Sequence, residues 1–165
     1  MSADIAGLMS RIDEVCNKVA DLPRQEIVLT RLIYFLFREM NECFNGKLAV
    51  FGLNTTSYVA LMNIFASPNG VIHPLELSNA MYSARTNITR LADELVNNGW
   101  ISRHPCPSDR RKVFLRLTDK GLKLIHQVLP VQSAAMKEVW KSLNASESIE
   151  MQELITKVLL NIKSS

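Results

Sequence analysis

Apolar residues recur along this chain at helical spacing almost from end to end, interrupted once by a stretch that alternates instead. Ile5, Leu8, Met9, Ile12, Val15, Cys16 and Val19 fall on one side of a short amphipathic helix that Pro23 ends. A second helix over residues 24–45, ahead of Gly46, carries Ile27, Leu29, Leu32, Ile33, Phe35, Leu36, Phe37, Met40 and Phe44. Apolar surface around that much of a helix predicts burial on more than one side. Asn54 is placed to cap a third helix, TTSYVALMNIFA, which stops before the loop at residues 67–70. Pro74 then stands first in a short helix containing LELSNAM, where its missing amide is harmless.

A longer helix follows a turn. Ile88, Leu91, Ala92 and Leu95 share one face for a core, and Thr86, Asn87, Arg90 and Asp93 share the other. Ser83 is the expected N-cap, and Gly99 the residue past the last turn, where a positive φ is needed. Residues 100–103 and 113–118 read as strands, since Val113, Leu115 and Leu117 alternate with Phe114 and Arg116. Between them PCPSDRRK reads as a loop, rich in Pro, Ser and Asp. After it a long helix runs from Thr118 to about residue 143, with a kink expected at Pro130. Asn144 and Glu147 form a capping box for a last helix striped by Leu154, Ile155, Val158, Leu159 and Ile162. Short helix, turn, longer helix and basic-tipped hairpin together make the pattern of a winged helix-turn-helix. The fold class expected is therefore mainly α with a small β-hairpin wing.

A polar face bearing Arg and Asn at a helix N-terminus suits major-groove readout, because Arg forks onto guanine and Asn onto adenine. Arg85, Thr86 and Asn87 are candidates for base edges, with Arg85 on the flank of the helix. Ser83 and Arg90 are candidates for phosphates. Arg110, Arg111 and Lys112 at the hairpin tip are placed to reach phosphates or the narrow minor groove. Asp109 beside them repels DNA on its own; it either aims a guanidinium through paired hydrogen bonds or is an ordinary turn residue.

The runs RTNITRLADELVNNGWISR and SDRRKVFLRLTDKG resemble the MarR family of bacterial winged-helix regulators. Its wing pattern falls here on Asp109, Arg111, Leu117, Thr118 and Gly121. The resemblance implies a minor-groove role for Arg111, supported by Asp109. It also implies a homodimer with both chain ends interlocked, and a pocket for small aromatic or phenolic effectors between the dimer helices and each winged lobe. Arg31 and Tyr34 on the second helix offer a charge and a hydroxylated ring to such an effector; the plainer reading is an exposed arginine and a core-edge tyrosine. Some relatives sense peroxide through a cysteine, which makes Cys106, between two prolines near the wing arginines, the candidate for a competing redox switch. Cys16 and Cys43 lie on apolar stripes and read as packing residues.

The 165 residues suit one compact domain, divided here into N-terminal dimerisation helices (1–50), a DNA-binding lobe (51–120) and C-terminal dimerisation helices (121–165). A partner for the unpaired stripes at both ends is most economically a second copy, and two lobes related by a two-fold axis read an inverted-repeat operator. The formal net charge of +3 sits entirely between His73 and Lys120, where eight Lys or Arg face five acids. That is the electrostatic footprint of a nucleic-acid partner. Nothing reads as a signal peptide or membrane span, so a cytoplasmic protein without a membrane partner is expected. His104 and Cys106 lack further zinc ligands, three cysteines make no disulfide framework, and no GxSxG, HExxH or glycine-rich phosphate loop occurs. No enzyme, metal or cofactor is expected; the remaining alternative is a winged helix that docks proteins without DNA. Retention on random DNA that falls steeply with salt is the expected outcome, and retention absent at every salt concentration points to the docking scaffold.

Overall fold

A computed structural model describes residues 3–106 and 109–164, with the side chains of residues 3, 106 and 109–112 outside the description. The chain forms two compact units, one ending at Cys43 and the other beginning at Phe44.

The first unit holds α1 (Ala3–Lys18) and most of α2 (Arg24–Leu48). Ile12 and Val28 are buried. Arg24, at the start of α2, pairs with Asp13 of α1, with its Nη2 2.6 Å from Oδ1. Between the helices lies a groove of about 520 Å³ with Leu8, Arg11, Ile12, Arg31, Phe35 and Arg38 among its walls. The burial expected for α2 on more than one side is not met within one chain: Leu29, Ile33 and Phe37 lie exposed along one stripe. Cys43 is exposed as well, so packing within one chain does not account for it.

In the second unit α2 continues through Gly46 to Leu48, three residues beyond the expected end. The stop comes later, where Ala49–Phe51 tighten into a 3₁₀ turn and Gly52 takes φ 72°. The Asn45 carboxamide oxygen accepts both the amide of Thr55 (2.7 Å) and its hydroxyl (3.0 Å), fixing the corner into α3 (Thr55–Ala66). Asn54 caps α3 as expected, in a reciprocal box with Ser57.

A two-residue strand, β1 (Val71–Ile72), leads into α4 (Pro74–Ala80) and α5 (Arg85–Asn97). Then come β2 (Ile101–Cys106), β3 (Asp109–Leu117), α6 (Asp119–Trp140) and α7 (Ala145–Ser164). The sheet is antiparallel in the order β1-β3-β2. Pairing Ile72 with Leu115 puts two apolar side chains on the inner face, and both are buried. Pro105 is tolerated in β2 because that strand lies at the sheet edge, where a missing donor costs little. The strands take up Pro105 and Cys106 on one side and Asp109 to Lys112 on the other, residues expected in the loop. Ladder hydrogen bonding outweighs their turn propensity. α6 runs through Pro130 without interruption, and ends at Trp140. Asn144 and Glu147 make the reciprocal bonds of a capping box.

The core joins Leu61 and Ile64 of α3, Leu77 of α4, Ile88 and Leu95 of α5, and Leu115 of β3. Its tightest point is where the wing returns to the helices. The Trp100 carbonyl accepts the Thr118 amide (3.1 Å) and hydroxyl (3.1 Å), and that hydroxyl lies 2.7 Å from the Gly99 carbonyl. Thr118 Oγ1 in turn accepts the Gly121 amide (3.0 Å), capping α6. A β-carbon on Gly121 would overlap the Trp100 carbonyl oxygen, with the carbonyl carbon at 2.9 Å. Backbone cannot swing aside as a side chain does, so Gly121→Ala is expected to destabilise the fold by about 1–3 kcal/mol. Gly46→Ala, in a helix with nothing within 4 Å, should stabilise it by about 0.5–1 kcal/mol. A denaturant midpoint that rises for Gly121→Ala contradicts the first assignment, and one that falls for Gly46→Ala contradicts the second.

Candidate nucleic-acid interface

The helix-turn-helix is α4 and α5 with the turn between them. His73 opens α4: its Nδ1 accepts the Leu75 amide (3.2 Å), while its own amide donates to Glu76 (3.1 Å). Its ring meets Phe114 of β3 edge-on, with centroids 6.0 Å apart. Both contacts escaped the sequence reading, since histidine is not among the usual caps.

Ser83 is not the N-cap of α5; Ala84 is, and no side chain caps the helix. The reason lies in the turn. The Ser83 amide donates to the Ser78 carbonyl (3.0 Å) and the buried Ser78 hydroxyl donates to the Ser83 carbonyl (2.6 Å). Ser83 is thereby held against α4, and one more extended residue, Ala84 at ψ 146°, is needed before the helix turns. The first amides of α5 are left without a side-chain acceptor, with the partial positive charge of the helix end exposed. An uncapped helix start suits a negatively charged partner.

Along α5, Ile88, Leu91, Ala92 and Leu95 are buried. Arg85, Thr86, Asn87 and Arg90 are all exposed on the remaining surface. Asn87 and Arg90 also line a shallow depression with Asn54 and Thr56 at the start of α3. The sequence marked Asn54 as a cap but carried no signal that α3 begins beside this face.

Asp93 on α5 reaches across to Arg103 on β2, with Oδ1 2.6 Å from Nη1. Arg103 sits opposite Leu115, on the inward face of the sheet, so its charge is directed at the helix. The sequence placed Asp93 on the polar face of α5 without a partner and did not single out Arg103, although an arginine on the apolar face of a strand asks for an acid nearby. The opposite face of the sheet holds Val71, Ser102, His104, Phe114 and Arg116, and the Ser102 hydroxyl meets His104 Nε2 at 2.9 Å.

Of the wing candidates, Asp109, Arg110, Arg111 and Lys112 belong to β3 by their backbone; their side chains, and that of Cys106 at the end of β2, lie outside the described residues. Arg31 and Tyr34 are not brought together in one cavity. Arg31 lines the α1–α2 groove, while Tyr34 is not among the residues lining it and is 66% exposed. Among the described residues no group of three metal-ligating side chains occurs, and no single helix is long and apolar enough to cross a membrane.

Residues 53–113 match the MarR family. Over 139 residues, 84% of this chain and 79% of the relative, the sequence is 40% identical to the transcriptional repressor MprA of Escherichia coli strain K12. The crystal structure of a mutant MarR from E. coli complexed with operator DNA aligns at a TM-score of 0.77 and 30% identity, over 85% of this chain and 99% of that one. AbsC, a MarR family transcriptional regulator from Streptomyces coelicolor, aligns at 0.81 and 21% identity, over 89% and 100%, a likeness of fold.

The Asp93–Arg103 pair is half-exposed on both sides, so its worth to stability is small. A double-mutant cycle with Asp93→Ala and Arg103→Ala, read by chemical denaturation, should give a coupling of about 0.2–1 kcal/mol. Additive losses would mean that the pair does not join helix to wing.

Proposed function

This chain belongs to the MarR family and is a DNA-binding transcriptional regulator, and we propose that it acts in the cytoplasm as a homodimeric repressor of an inverted-repeat operator. On this reading residues 51–120 hold DNA, and residues 1–50 and 121–165 hold the partner subunit. The observation that carries it is α5, whose uncapped N-terminus and exposed Arg85, Thr86, Asn87 and Arg90 stand beside a wing that bears the chain's excess positive charge. Thr86 and Asn87, with Arg85 on the flank, read base edges; Ser83 and Arg90 hold phosphates. Arg111 enters the minor groove with Asp109 aiming it, and Arg110 and Lys112 add general attraction.

Support for the second copy comes from apolar surface that one chain leaves uncovered. The stripe on α2 is one part, and α7 is the other, for no residue of that helix is buried. Two lobes joined through such faces would present their α5 helices to half-sites about 34–36 Å apart.

Release of the operator is assigned to a small aromatic or phenolic effector that binds better to a lobe spacing unfit for DNA. Arg31, in its partly apolar groove, supplies a charge for such a molecule, and Tyr34 a ring at the exposed surface of the same helix.

Fragments selected by the purified protein from random DNA should share an inverted repeat, and light scattering should report a dimer at micromolar concentration. A monomer at that concentration removes the two-lobe reading. On the selected operator, Arg111→Ala should cost about 1–3 kcal/mol of binding, and Lys112→Ala should weaken operator and random duplex alike. Equal and negligible losses for Arg85, Asn87 and Arg111 would discredit the assignment. A phenolic compound that reverses binding, where peroxide does not, separates effector from thiol sensing through Cys106.

A further inference from the structure

Tyr82, in the turn between α4 and α5, takes φ 49°. This left-handed conformation is open to glycine and strained for a residue with a β-carbon. Burial of the side chain does little to offset it, because the tyrosine is 85% exposed. Folding alone would favour glycine at this position, so a bulky hydroxylated ring there needs another reason.

Two neighbours supply one. Three residues further on, α5 begins with Arg85 and an uncapped helix end. Over the Tyr82 ring, 5.3 Å from its centroid, sits the ammonium of Lys163, in the last turn of α7. A lysine attracted to the ring face is thus held beside the exposed turn, next to the end of the helix assigned to the groove. When a recognition helix lies in the major groove, the helix before it crosses the phosphate backbone, and the turn that joins them is carried to the groove's edge.

We propose that Tyr82 and Lys163 form a clamp on the DNA backbone at the edge of the groove entered by α5. The Tyr82 hydroxyl donates a hydrogen bond to a phosphate oxygen, and the Lys163 ammonium neutralises charge on the same strand. Neither contact carries sequence information, so the clamp acts on any duplex. The inference rests on the reading that α5 binds DNA, and it adds the end of the last helix to the footprint.

The test separates a structural from a binding role by opposite signs. In the full-length protein, Tyr82→Gly removes the backbone strain and should leave the melting temperature unchanged or raise it. On both the selected operator and a random duplex, followed by fluorescence anisotropy, it should weaken binding by about a hundredfold, about tenfold for the one hydrogen bond to a charged group that each subunit of the dimer loses. Tyr82→Phe keeps the ring and loses the hydroxyl, and should reproduce most of that loss. Lys163→Gln should lower the slope of log affinity against log salt by about 1.8, twice the value of about 0.9 for one phosphate contact, because each subunit of the dimer loses one.

Wild-type affinity for both duplexes in Tyr82→Gly overturns the clamp, as does a loss confined to the operator or accompanied by a lower melting temperature. Lys163→Gln with an unchanged salt slope removes Lys163 from it. If Arg90→Ala weakens binding while the Tyr82 variants do not, the clamp fails and the α5 reading stands. If the wild-type chain holds neither duplex, both fail together.

Discussion

The geometry of the DNA-binding lobe depends on one backbone carbonyl. Trp100 ends the connection from the recognition helix and starts the wing; its oxygen receives the Thr118 amide and hydroxyl, at the point where the wing ends and α6 begins. Recognition helix, both long wing strands and the helix that leads away from the lobe therefore converge on a single peptide group. Gly121 is the residue that permits the approach, and Lys120 adds a bond to the Asn98 carbonyl at 2.8 Å. A displacement at this junction is felt by the wing and by α5 at once, so the two elements are held in a fixed relation.

The second constraint is electrostatic. Asp93 turns one acid of α5 toward Arg103 on the strand, which partly neutralises that carboxylate. The helix start is left uncapped, in contrast to α3, α4 and α6, each of which has a side-chain cap. A cap contributes roughly 0.5–2 kcal/mol to a helix, so forgoing one at α5 is a cost in stability, and amides left free there can face an anion instead.

Outside the lobe the described residues leave large apolar side chains uncovered on α2 and α7. The stripe of α2 and the apolar positions of α7, among them Leu154, Val158 and Ile162, have the chemistry of core and the exposure of surface. Exposed apolar patches of that extent in a folded chain mark places where another surface belongs. This agrees with the charge distribution, in which the segments on either side of the lobe balance to zero and leave the excess between His73 and Lys120.

Periodicity by itself determined the helices, because apolar spacing reports which face must be buried whatever covers it. It identified the core face of α5, the cap of α3, the capping box of α7 and the glycine past α5, all of them local chemistry within a few residues. Motif resemblance added the family. What local chemistry cannot contain is distance in space. The two-residue β1 is too short for any period and exists only because Leu115 offers Ile72 a partner. Ser83 lost the cap position to a bond from Ser78, the loop yielded residues to the ladder, and Asp93 found Arg103 only once the wing had folded back. Tyr82 reads in sequence as an ordinary turn residue; its strain and its contact with a lysine 81 positions later became visible only when the chain closed on itself. Sequence specifies what each segment must hide, while the tertiary structure decides which polar groups are then left beside one another.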